Sequence, residues 1–290
     1  MARAVRCSAR LSGEMERTMP PQPAVNMQQI VNAVRSMEGG LRELFAQLLR
    51  TRRRVYALDA KDRLRDAGRA ASMPVEFRSQ FGEDIMIWDL LDGQLDGFFI
   101  EVGAFDGYSC AVTYALESVG WKGLLVEAIP ERFEQCKSRR KNSRVVHAAL
   151  GKRGSTGTTT FQVVEDQHGG MLSYHTTTEQ HLRMLNNDKR ARKSVTVPLT
   201  TMDELLKDHK GRIDVAVIDV EGGELDLLDG FDLGKHRPRV MLIEDNDPAS
   251  RLIENAMMRH PYTQVGWVEV SRVYVHNDEK DVLARAGERH

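Results

Sequence analysis

The chain has 290 residues, enough for one large domain with an appendage or for two small domains, either with a core of its own. Its 41 basic and 42 acidic residues nearly cancel, so no global field marks a polyanion partner, and neither nucleic acid nor an acidic membrane is expected. The three cysteines, Cys7, Cys110 and Cys136, are scattered; they fit reduced thiols better than a disulfide framework and offer no Cys/His zinc spacing.

Residues 1–25 hold Pro20, Pro21 and Pro23 without a usable period and read as a disordered leader. No apolar region follows the basic N-terminus, and no later stretch approaches the roughly 20 apolar residues of a membrane span, so a cytoplasmic protein without a span is expected. Over 26–72 the pattern is helical. Met27, Ile30, Val34, Met37, Leu41, Leu44, Leu48, Val55 and Leu58 fall at alternating steps of three and four, with Thr51 filling the gap. That seam predicts a coiled coil and a homo-oligomer through residues 27–58, although such a helix also suits packing on its own catalytic domain. The cluster Arg50, Arg52, Arg53 and Arg54 reads as a solvated face. Met73-Pro74 forces an extended turn, so the catalytic domain is expected over 75–278, with a tail at 279–290.

From Ser79 onward, short β-branched runs alternate with helical spacing, the signature of a doubly wound parallel sheet. Strands are predicted at 98–103, 123–128, 144–148, 213–219, 239–244, 262–268 and 271–276. The last two stand too close for an intervening helix, so they form a hairpin and one strand runs antiparallel at the sheet edge. Between the third and fourth strands lies an insert, 151–212, long enough for a lid or substrate wall.

The first strand ends in Glu101-Val102-Gly103-Ala104-Phe105-Asp106-Gly107, where two glycines bracket a bend before a helical pattern. About 20 residues further on, the second strand also ends in a carboxylate, Glu127, where an adenosine ribose needs a bidentate acceptor. A dinucleotide needs bare N–H groups at this turn, usually as G-x-G-x-x-G, but Phe105 replaces the middle glycine and Asp106 would repel a pyrophosphate. S-adenosylmethionine brings a sulfonium and an ammonium instead, and Glu101 and Asp106 suit those charges. The cofactor set is therefore Glu101, Gly103, Ala104, Asp106, Gly107 and Glu127, with Ala128 and Ile129 lining the adenine slot and Ala149 on its other side.

The ordered set of segments resembles the FkbM-type methyltransferases. It comprises Ser79-Gln80-Phe81-Gly82-Glu83-Asp84, the Glu101–Gly107 loop, Gly120-Trp121-Lys122-Gly123-Leu124-Leu125-Val126-Glu127-Ala128-Ile129-Pro130 and Val197-Pro198-Leu199-Thr200-Thr201-Met202-Asp203-Glu204-Leu205-Leu206. Ile218-Asp219-Val220-Glu221-Gly222-Gly223-Glu224, Arg237-Pro238-Arg239-Val240 and Ile243-Glu244 complete it, over about residues 79–276. The resemblance implies an α/β class I methyltransferase (Rossmann-like) fold with a seven-stranded sheet, use of S-adenosylmethionine, and methylation of a hydroxyl on a sugar, glycan or secondary metabolite. It also implies that Gln80 and Glu83 reach the methionine end, a role set against plain helix capping.

A hydroxyl holds its proton at neutral pH, so its methylation needs a general base or a metal. Asp219 follows a buried strand and is the first choice; Glu221 and Glu244 stand at the same level, and His168 beside Gly169-Gly170 in the insert is a further candidate base. Glu224 reads as dipole stabilisation in a first helical turn. Asp219, Asp245 and Asn246 together offer hard oxygen ligands for Mg2+, similar to catechol-type O-methyltransferases. The alternatives are N-methylation, a catalytically silent scaffold assembling through the N-terminal helix, and a nicotinamide oxidoreductase, the last disfavoured by the missing glycine.

Overall fold

The computed structural model describes residues 26–165 and 169–288. They fall into two compact units, one running through Gln47 and the other from Leu48 onward. The leader predicted over residues 1–25 and the end of the 279–290 tail lie outside the described residues.

Helix α1 spans Met27–Asp66. It begins where the Asn26 side chain accepts the Gln28 N–H at 2.9 Å. It ends at Gly68, with φ of 64°, as the Arg69 N–H closes on the Leu64 carbonyl at 2.8 Å. In the first unit the seam residues Met27, Ile30, Val34, Met37, Leu41 and Leu44 are exposed, Met27 at 72%. In the second unit Leu48, Val55 and Leu58 are exposed as well, and a different face of the helix is covered. Leu49, Ala60 and Leu64 are buried with Phe77 and Trp88, while Tyr56 donates to Asp89 and Trp88 to Asp59, both at 2.7 Å. The compact unit therefore begins at Leu48, ahead of the boundary expected at 75, because the stronger seam signal hid this second face. Among the described residues no helix is long and apolar enough to cross a membrane.

The strands are β1 (Phe98–Val102), β2 (Lys122–Glu127), β3 (Arg144–His147), β4 (Ala149–Leu150), β5 (Thr158–Glu165), β6 (Ala191–Thr200), β7 (Val215–Ile218), β8 (Val240–Glu244), β9 (Tyr262–Val268) and β10 (Ser271–His276). Seven of them pair in the order β3-β2-β1-β7-β8-β10-β9, and β10 alone is reversed against its neighbours. The hairpin sets β10 one position in from the edge and leaves β9 outermost. Burial explains the choice: β10 is buried along nearly its whole length, whereas β9 is largely exposed. The parallel strands are apolar on both faces. Phe99, Leu125, Val217 and Leu242 point to the side that holds Trp88 and Trp121; Ile100, Val126, Ile218 and Ile243 point to the side that holds Leu227 and Phe231. Within the insert, β6 pairs with β5 and with β4 in a separate three-stranded sheet, and a helix spans Glu179–Asn187.

Candidate functional site

At β1 and β7 the chain connections leave in opposite directions, and there the carboxyl ends of the strands open on a cavity of about 400 Å³, within the range of small-ligand sites. Its lining comes from the exits of β1 (Gly103 to Phe105), β2 (Glu127 to Ile129), β7 (Asp219 to Glu221) and β8 (Glu244), together with residues of the insert. Gly103 makes this convergence feasible. Its φ is 80°, and a Cβ there would overlap the carbonyl oxygen of Asp219. The Gly103 and Ala104 N–H groups donate to Val126 at 3.0 and 3.1 Å, and the Asp219 N–H donates to Val102 at 3.2 Å, so three strand exits are tied at one point.

The two acids of the β1 exit are held by protein partners. Glu101 lines the cavity, but it accepts from the Val112 N–H at 2.8 Å and from the Thr113 hydroxyl, and lies 3.5 Å from buried Arg140. Asp106 accepts from the Tyr108 and Ser109 N–H groups at 2.9 and 2.6 Å and pairs with Arg139 at 2.5 Å. Burial alone would raise its pKa; the Ser109 and Tyr108 donors and Arg139 outweigh that and hold it below the ordinary value. Asp106 and Gly107 are not among the residues lining the cavity. In this structure Asp106 is turned into the β1 turn, with its oxygens taken by Tyr108, Ser109 and Arg139.

Glu127 faces the cavity and is buried, which lifts its pKa to about 7 although the Ile129 and Phe105 N–H groups each donate to it at 2.7 Å. Beside it Ala128, Ile129 and Ala149 pack with Phe161 as an apolar wall. Phe161 went unnoticed in the sequence, because strand alternation in an insert does not say which face meets the cavity. Gln80 and Glu83 line the cavity too, and Glu83 accepts the Phe81 N–H at 2.9 Å, so it both faces the cleft and braces the turn before its helix.

On the opposite side, Asp219, Glu221 and Glu244 bring carboxylate oxygens within 4.8 Å of one another. Asp219 is open to cavity water yet ringed by protein, and that crowding lifts its pKa to about 6 against a hydrogen bond with Glu244 that works to lower it. Because water reaches the carboxylate, the full shift belongs to a cleft closed by ligand. Glu244 is buried; burial first, then the charges of Asp219, Glu221 and Glu224, hold its pKa well above the ordinary range. Glu221 has φ of 57° and faces His181 Nδ1 at 3.4 Å. His181, on the insert helix, was not legible as a site residue; its Nε2 lies 3.1 Å from the Leu172 carbonyl, and burial lowers its pKa.

The remaining candidates sit elsewhere. Glu224 accepts the Val220 and Gly222 N–H groups at 3.1 and 3.0 Å and braces the turn after β7. Asp245 is held by Arg272 at 2.5 Å and accepts the Asp247 N–H at 3.2 Å, while Asn246 is exposed. The expected metal set Asp219, Asp245 and Asn246 is therefore not assembled. His168 lies outside the described residues; His175 lines the cavity with its Nδ1 2.9 Å from the Thr159 hydroxyl. Met171, Leu172 and Arg190 also line the cavity, so the insert supplies one of its walls.

No curated protein matches the chain by sequence. Among solved structures the chain is similar to the METTL16 methyltransferase domain (TM-score 0.39, 15% identity, covering 70% of this chain and 68% of that one). It is also similar to a human methyltransferase 10 domain containing protein (0.35, 14%, 67% and 80%). A further similar structure is the hMettl16 catalytic domain in complex with MAT2A 3′UTR hairpin 6 (0.35, 13%, 71% and 71%). Likeness at these scores carries no weight for the substrate. The methyltransferase FkbM domain model matches residues 101–260, more than half of the chain, and the protein belongs to that family.

Proposed function

We propose that this FkbM-family methyltransferase uses S-adenosylmethionine to methylate a hydroxyl oxygen on a sugar, glycan or secondary metabolite. The observation that carries the reading is the group Asp219, Glu221 and Glu244, which gathers proton-accepting carboxylates beside the loop where the β1, β2 and β7 exits meet. Membership of the family implies the donor, and the residues present fit it. Glu127 suits the ribose hydroxyls, and Ala128, Ile129, Ala149 and Phe161 offer a flat apolar slot for a base. When bound, the donor supplies a methyl group on a sulfonium that leaves as a neutral thioether.

The protein has three tasks. Gly103 lets the β1 exit approach the Asp219 backbone closely, which fixes the distance between the cofactor half and the acid half of the cleft. The insert walls the cleft on one side and narrows the access of water to it. Asp219 accepts the hydroxyl proton as the oxygen attacks, with Glu244 in contact beside it.

Isotope-labelled S-adenosylmethionine with a panel of sugars, glycans, hydroxylated metabolites, amines and RNA tests the reading. Label is expected on a hydroxyl oxygen; label on nitrogen, or on RNA alone, would overturn the acceptor class. The charge balance is what speaks against a nucleic acid. Free Cys110 and Cys136 support a cytoplasmic location.

The exposed seam of α1 supports the homo-oligomer through residues 27–58. A Leu41→Lys chain is expected to elute as a smaller assembly by light scattering, with turnover unchanged. An unaltered mass would remove the seam from assembly.

A further inference from the structure

We propose that Asp219, Glu221 and Glu244 form a site for one hard divalent cation, Mg2+, Mn2+ or Ca2+, on the acceptor side of the cleft. The first ground is distance. Oxygens bound to one such ion at about 2.1–2.5 Å stand no more than roughly 4–5 Å apart. The three carboxylates meet that limit, with one oxygen from each lying within 4.8 Å of the others.

The second ground is an orphaned atom. Glu244 is 7% exposed, and its Oε2 has no hydrogen-bond partner. Its side chain is in hydrogen-bond contact with Asp219, another carboxyl group. Two carboxylates in contact bring no donor of their own, so either a proton or a cation must lie between them. A cation satisfies Oε2 and the facing oxygens together; a single proton shared between Glu244 and Asp219 leaves Oε2 without a partner.

The donor set fixes the class of ion. All three groups are carboxylates, which favour Mg2+, Mn2+ and Ca2+ over metals that prefer thiolate or imidazole. The neighbouring acid takes no part, since Asp245 is held by Arg272. The role of the ion rests on the methyl-transfer reading above. Each residue gives one oxygen to the group, so Asp219 keeps its second oxygen for the hydroxyl proton. The cation draws in the acceptor oxygen and lowers the pKa of its hydroxyl.

The test is titration of the full chain with Mn2+, without cofactor, followed by the electron paramagnetic resonance of the free ion. One Mn2+ per chain is expected. Glu244→Gln and Glu221→Gln should each weaken binding by about tenfold or more, with S-adenosylhomocysteine affinity and melting temperature nearly unchanged. No Mn2+ binding up to millimolar concentration, by wild-type chain that binds S-adenosylhomocysteine, would overturn the proposal. Binding that survives both substitutions would overturn it too, as it marks a surface ion. A chain that takes up Mn2+ through these residues but ignores S-adenosylhomocysteine would uphold the site and sink the methyl-transfer reading instead.

Discussion

The exits of β1 and of β7 and β8 carry acids at the same end of the sheet, but only the second group crowds together on the cavity. At the β1 exit Glu101 and Asp106 are answered by backbone N–H groups and by Arg140 and Arg139. At the other exits Asp219, Glu221 and Glu244 crowd one another, and a Glu244 oxygen has no partner. A carboxylate's position along the chain thus says little about its charge toward a ligand. Cationic partners arriving from distant helices decide that.

The sharpest way to break the comparison is Asp219→Asn, which keeps the shape and removes the proton acceptor. Turnover should fall by about 10²–10⁴-fold, with S-adenosylhomocysteine affinity little changed. With the cleft closed by ligand and no cation bound, burial raises the pKa of Asp219 from 3.8 to about 6, so the acid is protonated and idle below that value. Turnover should therefore fall as pH drops through about 6, and this limb should vanish in the variant. A rate-versus-pH profile that is flat from 5 to 8 would remove Asp219 as the base.

Next in size is Arg140→Met at the β1 exit. Arg140 is buried against Glu117 at 2.6 Å and near Glu101. Its loss strands buried carboxylates and should cost about 3–5 kcal/mol in urea unfolding. A cost below about 1 kcal/mol would mean that Glu101 is not structural. Asp106→Asn should have the smallest effect, about 1 kcal/mol of stability, since the turn keeps an acceptor for Ser109. Cofactor affinity should stay within about twofold; a larger loss would return Asp106 to the ligand site.

The sheet was legible because its parallel strands are buried on both faces and appear as short apolar runs ending at glycine or acid. The positions of Glu127, Ala128, Ile129 and Ala149 followed directly, since each sits at or just past a strand end. The sequence did not reveal what holds each acid. Arg139 pairs with Asp106 from a helix 33 residues away, and Arg272 pairs with Asp245 across 27 residues. Such pairings depend on register and helix packing, which no local pattern carries. Likewise His181 and Phe161 reach the site or its edge only because the insert folds back over the strand ends. In α1 a strong heptad seam masked the weaker face, with Leu49, Ala60 and Leu64, that packs into the second unit.

The most direct measurement is calorimetric titration of the full chain with S-adenosylhomocysteine and, separately, with NAD. One S-adenosylhomocysteine site per chain is predicted, weakened by about tenfold or more in Glu127→Ala, with no heat from NAD. No binding of the nucleoside, or tighter binding of the dinucleotide, would contradict the account.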